Sequence, residues 1–401
     1  MTSALIADLE RGLAAREAAG LQRIRRTLAS PQGARVLVDG RELVAFASND
    51  YLGLANHPEV VAAAREGAAR WGAGAGASHL ICGHFVPHAA LETELAAFVR
   101  PCAGARALTF SSGYLANLAI LTALAGRGDA IFADRLNHAC LNDGALLSRA
   151  EFVRYPHADA AALRHRLAAS KAKRKLIATD AVFSMDGDLA PLPALCALAE
   201  EFDAWLVVDD AHGFGVLGAR ENGGRGTLAH FGLASERIVY MGTLGKAAGV
   251  AGAFVAAHPA VIETLLQTAR SYLFTTAGPP LVAEALRVSL RILRDDAARR
   301  AHLFELIARF RSRLVGGPWT LPDSPTPIQP LVVGANAAAV EFADALWRRG
   351  FWVPAIRPPT VPKGTARLRI TLNAAHTRED VDALADALDE LAPAFGSAHA
   401  R

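Results

Sequence analysis

The chain has 401 residues, 52% of them apolar, and a formal net charge of +3 from 42 Lys and Arg against 39 Asp and Glu. That is enough apolar content for a sizeable core in one large or two to three ordinary domains, while the scattered positive charge forms no basic stripe for a nucleic acid. No run reaches the ~18 unbroken apolar residues of a membrane span. The four cysteines (Cys82, Cys102, Cys140, Cys196) form neither a CxxC pair nor a disulfide framework, so free thiols and no metal site are expected. Asp8, Glu10 and Glu17 break the pattern of a secretory or organelle-targeting segment, and the chain is expected to be complete and cytoplasmic.

Leu5, Leu9, Leu13 and Leu21 fall at near-helical spacing, which predicts an amphipathic surface helix over 3–27. Two short strands, 34–39 and 43–48, flank the turn signal Asp39-Gly40. A polar break at Asn49-Asp50-Tyr51 and Gly53 precedes a helix at about 57–71. From 72 to 84 the chain reads GAGAGASHLICGH; alternate glycines exclude a stable helix and predict a loop pressed against another backbone or a ligand.

Strands at 105–110, 129–134, 175–182, 205–210, 237–242 and 251–257 then alternate with helices at 111–125, 138–148 and 191–202. Near-continuous apolar strands separated by helices imply an α/β fold with a mostly parallel sheet covered on both faces. Long helices follow over 281–316, then a Pro-rich loop and an α+β pattern: strands 328–333, 351–356 and 366–371 with helices 336–349 and 377–391. The expected organisation is an N-terminal helix and hairpin (1–50), a large α/β domain (51–285) and a C-terminal α+β domain (286–401).

Ligands of parallel sheets bind beyond the carboxyl ends of the strands, so the polar residues there carry the functional expectation. Ser111-Ser112-Gly113-Tyr114 opens a helix, whose free amides suit a phosphate as well as they suit an ordinary N-cap. Asp209 and Asp210 close an apolar strand, and two buried acids need partners; a pyridinium nitrogen is one, a capped helix another. His212 follows three residues after Asp209. His138 begins a helix after another strand, where an imidazole stacks on a flat ring or serves structure alone. Ser184, Thr243 and Thr276 add hydroxyls at further strand ends and loops. Arg369 lies in a strand otherwise destined for burial, a placement suited to a carboxylate, and Arg357 in a Pro-rich loop.

The stretch VYMGTLGKAAGVAGAF (239–254) holds Lys246, one of five lysines in the chain. Lys171, Lys173 and Lys175 form one basic cluster and Lys363 lies in a Pro/Gly loop, whereas Lys246 has only small and apolar neighbours. Partial desolvation favours the neutral, nucleophilic amine, and small flanking residues leave room for a flat molecule, as a Schiff-base lysine requires.

In chain order, the Gly-rich loop, SSGY, NH, FSMDGD, DDAH, TLGK and LRI resemble the α-oxoamine synthases, which are pyridoxal-phosphate (PLP) enzymes that condense an amino acid with an acyl thioester. The likeness runs roughly from Leu5 to the final helix, and VVDDAHGFGVLG followed by a TLGK lysine is specific in combination. It implies the PLP-dependent transferase fold of type I: a large domain with a mostly parallel seven-stranded sheet covered by helices, plus a smaller α+β C-terminal domain. It also implies a homodimer with shared active sites.

Carried onto this chain, the resemblance implies that Lys246 binds PLP, Asp209 pairs with the ring nitrogen and His138 stacks on the ring. His212 and Ser184 would bind the ring oxygen, and Gly113, Tyr114, Thr243 and a partner subunit's Thr276 the phosphate. Arg369 would hold the substrate carboxylate, with Arg23, Asn49 and Arg357 serving the acyl partner. NDYLGL, FSMDGDLAP and IRPPTVPKGTARLRITLNAAH are similar to the family member that joins L-alanine to a pimeloyl thioester, on CoA or acyl carrier protein, in biotin synthesis. A glycine-using member and a PLP aminotransferase are the rival expectations. One departure, GASHLICGH, where the family often has SRL or SGH and then SG, is expected to alter packing rather than chemistry.

Overall fold

The structure is a computed structural model and describes residues 3–218, 223–319 and 321–395. The chain divides into two compact units, one of Met1–Ser48, Met185–Gly187 and Leu303–Arg401, the other of Asn49–Ser184 and Asp188–His302.

In the first unit, β1 (Arg35–Val38) and β2 (Arg41–Ala45) form the expected hairpin about Asp39-Gly40, both at positive φ. The second unit contributes β3 (Arg106–Phe110), β4 (Ala130–Asp134), β5 (Glu151–Tyr155), β6 (Lys175–Asp180), β7 (Ala204–Asp209), β8 (Ile238–Thr243) and β9 (Ala253–Ala257). They make one seven-stranded sheet in the order β3-β9-β8-β7-β6-β4-β5, in which β9 alone runs antiparallel to its neighbours. Every residue of β4 and β9 is buried, which is why these strands read as apolar runs rather than alternating ones. Helices Gly113–Leu124, Ala139–Ser148 and Pro259–Thr268 close one face, packing Ile120, Leu141 and Ile262 onto Ile131, Leu176, Val207 and Val239.

The first unit also holds β10 (Ile328–Gly334), β11 (Phe351–Trp352), β12 (Ala355–Ile356) and β13 (Ala366–Thr371). The single strand expected over 351–356 is two. β11 joins β2 and β12 joins β13, and Pro354 between them has no N–H to continue a ladder. The first helix also differs from expectation: it spans Ala4–Ala18 and ends before Gly20, which takes a positive φ of 63°. Its Leu5, Leu9 and Leu13 are exposed. No helix among the described residues is long and apolar enough to cross a membrane.

Candidate active site

β6, β7 and β8 are parallel neighbours, and their register sets Asp180 beside Asp209 and Asp209 beside Met241. The chain leaves β7 through the turn Ala211-His212 and leaves β8 through Leu244-Gly245-Lys246, so these side chains rise from adjacent strand ends. Lys246 is half-buried, and its Nζ lies 2.9 Å from His212 Nε2. The other nitrogen of that ring, Nδ1, lies 2.5 Å from the hydroxyl of Tyr51. Tyr51 belongs to NDYLGL, which is tied down by Asp50: its carboxylate accepts from the amides of Leu54 (2.9 Å) and Ala55 (3.0 Å). Gly249 is needed where this segment meets the lysine loop, because a Cβ there would sit 2.5 Å from Ala55 N and Leu54 C.

The two acids that close β7 part company. Asp209 accepts from Asn117 Nδ2 at 2.7 Å and from the Ala211 amide at 3.0 Å. Asp210 turns to the other side and accepts from Thr227 N (2.7 Å), Thr227 Oγ1 (2.5 Å) and Tyr240 OH (2.9 Å). Burial still pushes the Asp210 carboxyl up to about 7. Asp210 thus serves the fold, and Asp209 faces the site.

His138 caps helix Ala139–Ser148, its amide donating to Asp180 Oδ2 at 2.6 Å and its Nδ1 lying 2.8 Å from Cys140 Sγ. Burial lowers the imidazole; the charge of Asp209 opposes that shift and the charge of Lys246 adds to it. His138 therefore stands within electrostatic reach of both the acid and the amine. Asp180 is raised first by burial and then by the charge of Asp209, so it is driven toward the neutral form.

At the start of helix Gly113–Leu124, Ser112 Oγ accepts from the Leu115 amide at 3.3 Å, and the amides of Gly113 and Tyr114 precede Ala116, the first amide to donate within the helix. A Cβ on Gly113 would stand 2.8 Å from Thr243 Cγ2, so this helix end and Thr243 adjoin. Amine, acid, imidazole and helix N-terminus are the donor set that PLP needs for its aldehyde, ring nitrogen, ring face and phosphate.

The phenol of Tyr114 is exposed and donates to Asp143, leaving only its amide for an anion. Thr276 is exposed and Ser184 half-buried. Asn49 accepts from Tyr51 OH at 3.3 Å. Arg23, Arg357 and Arg369 belong to the other unit. There Arg369 is buried on β13, with Nη1 donating to Thr371 Oγ1 at 3.1 Å. Arg357 donates to the carbonyls of Gly20 and Gln22 and, with Arg23, lines a cavity of about 250 Å³.

Sequence reasoning missed Tyr51, Asn117 and Asp180 as site residues. Two of the three carry a signal: Asn117 is the one amide side chain in a largely apolar helix, and Asp180 ends β6 as Asp209 ends β7.

This fold and site define a PLP-dependent transferase of fold type I. The chain matches the family described as aminotransferase class I and II over residues 41–388. It is 59% identical over 387 residues to 8-amino-7-oxononanoate synthase of Aromatoleum aromaticum, covering 96% of this chain and 99% of that one. The same-named protein of Herminiimonas arsenicoxydans is 60% identical over 381 residues, 94% of this chain and 97% of that one. Among solved structures, serine palmitoyltransferase from S. paucimobilis superposes with a TM-score of 0.90 at 28% identity, over 98% of this chain and 100% of that one. An 8-amino-7-oxononanoate synthase from Francisella tularensis superposes at 0.75 with 30% identity, over 88% and 98%. The chain belongs to the class I and II aminotransferase family and, within it, to the 8-amino-7-oxononanoate synthases.

Proposed function

We propose that this chain is a PLP-dependent acyltransferase that condenses L-alanine with a pimeloyl thioester, giving 8-amino-7-oxononanoate, CO2 and the free thiol carrier for biotin synthesis. The observation that carries the reading is the unbroken chain Tyr51–His212–Lys246 beside the Asn117–Asp209 pair. Bound at the lysine, PLP supplies an aldehyde carbon for the amine and a protonated ring that takes up the electron pair left at the alanine Cα.

Asp209, fixed by Asn117 and the Ala211 amide, holds the proton on the ring nitrogen. His212 presents Nε2 to the ring oxygen, with Ser184 beside it in that role, and Tyr51 at Nδ1 fixes the imidazole plane. His138 covers the ring face. The amides of Gly113 and Tyr114, with Thr243, take the phosphate. With the cofactor and alanine bound, Lys246 would be the base that removes the Cα proton. The Cα–C bond to the thioester carbonyl then forms as the thiolate leaves, the alanine carboxylate departs as CO2, and Lys246 returns a proton to Cα.

Arg369 holds the alanine carboxylate, Asn49 contacts the acyl partner, and Arg23 with Arg357 meets the distal carboxylate of the pimeloyl chain, two guanidiniums lining one cavity. The chain works in the cytoplasm as a homodimer in which each Thr276 reaches the phosphate of the partner's site. The thioester is carried on CoA or on acyl carrier protein.

The test is a titration of the PLP-loaded protein followed by visible absorption and thiol release. Alanine alone shifts the band, and pimeloyl-CoA then releases one thiol for each CO2. Faster thiol release from glycine with succinyl- or acetyl-CoA would assign a different member of the family.

A further inference from the structure

The segment 76–84 does more than pack. Residues His79–Gly83 close one π turn, with the Gly83 amide donating to Ser78 O at 3.0 Å. An i→i+5 turn brings residues five apart to the same side. His79 and His84 therefore meet, their Nδ1 atoms 3.0 Å apart and their ring centroids 5.2 Å apart. Only glycine fits at 83, because a Cβ would collide with the Ala77 carbonyl. His88, four residues further on in the first turn of helix Val86–Val99, adds a third ring at 5.0 Å from His79 and 5.7 Å from His84.

Ligand-type nitrogens of all three lie within 4.8 Å of one another, and among the described residues no other group of three His, Cys, Asp or Glu gathers in this way. The rings are held in place. His79 stacks on Tyr272 with centroids 5.3 Å apart and planes 5° from parallel. His88 accepts the Phe85 amide at Nδ1 (3.0 Å) and points Nε2 at Gly278 O (2.9 Å). His84 is exposed on the single chain.

The chemistry of the group selects its ligand. Burial lowers all three imidazoles, His79 to about 4 with help from its two neighbours, so each ring is neutral and offers a lone pair at neutral pH. Two nitrogens 3.0 Å apart are close to one edge of a tetrahedral zinc site, about 3.3 Å for Zn–N bonds of ~2.0–2.1 Å. The group is all nitrogen and no carboxylate, which favours zinc, cobalt, nickel or copper over magnesium or calcium.

We propose that His79, His84 and His88 form a binding site for a divalent transition-metal ion of the zinc type. His79 and His84 ligate through Nδ1, the proton between them moving to an outer Nε2. His88 joins by exchanging one of its backbone hydrogen bonds for the ion, and water completes the shell. His79 and His88 also line a cavity of about 130 Å³ that Ser111, Leu244 and Gly252 share, so the ion would brace a segment facing the lysine loop.

The test uses the PLP-loaded protein with Zn²⁺ by calorimetry and Co²⁺ by its visible ligand-field bands. One ion per chain and four-coordinate cobalt bands are expected. His84→Ala and His79→Ala should each weaken binding at least tenfold, whereas His230→Ala, an exposed histidine elsewhere, should leave it unchanged. His84 is exposed, and an unchanged cofactor band shows that its variant is folded. Absence of saturable binding, or equal binding by the parent and His84→Ala, would overturn the proposal.

Discussion

The ends of β6, β7 and β8 and the arginine-bearing segments of the other unit solve the same problem, holding polar groups ready for a ligand, by different means. At the strand ends, backbone register does the placing: Asp180 stands opposite Asp209, and Asp209 opposite Met241, before any loop begins. Side chains then interlock, with Asn117 on Asp209 and His212 between Tyr51 and Lys246. Arg357, by contrast, is held by carbonyls of a loop, those of Gly20 and Gln22, and Arg23 is exposed. On the proposed assignment, the cofactor chemistry rests on the rigid sheet and recognition of the acyl partner on loops.

The strongest way to break this contrast is Asp209→Ala. Turnover should fall by at least ~10³-fold while circular dichroism stays unchanged, since the variant removes a charge aimed at the ring and no packing volume of consequence. Near-parent activity would show that the sheet does not supply the electron-sink partner. Asn117→Ala sharpens the same point one bond further out. Losing a hydrogen bond to a carboxylate costs ~1.5–3 kcal/mol, so kcat should drop ~10–100-fold with a shifted cofactor absorption band. Arg369→Lys probes the other region: a single ammonium in place of the guanidinium fork should raise the KM for alanine about tenfold and leave kcat nearly unchanged. A drop confined to kcat would take Arg369 out of substrate binding.

The smallest effect tests the scaffold under the site. His157 lies 3.1 Å from Asp134 and 2.8 Å from Asp188, and these bonds raise it from 6.5 to about 10. A raised folded-state value means that its stabilisation is complete below pH 6.5 and is lost as pH rises through about 10. His157→Gln should therefore lower Tm by a few degrees at pH 6, and the gap to the parent should close toward pH 10. A gap that is constant with pH would mean that packing, not charge, is what His157 contributes.

Six of the seven central strands were legible because burial on both faces turns them into apolar runs. The seventh, β5, was not: it is an edge strand, EFVRY, whose only buried residue is Tyr155, and its pattern is that of a polar connection. The reversed direction of β9 was equally invisible, since AFVAA reads the same whichever way its neighbours run. In the site, composition and strand ends singled out Lys246, Asp209 and His212, while the family resemblance alone supplied their expected roles. Tyr51 was not, because only the fold brings NDYLGL against the DDAH turn. The meeting of His79 with His84 needed a π turn that no periodicity announces.

Reduction of the PLP-loaded protein with borohydride, followed by peptide mass mapping, tests the lysine assignment most directly. The account predicts a phosphopyridoxyl mass on the peptide containing Lys246 and none on those containing Lys171, Lys173, Lys175 or Lys363. A stoichiometric label on any of those four, with the Lys246 peptide unmodified, would contradict it.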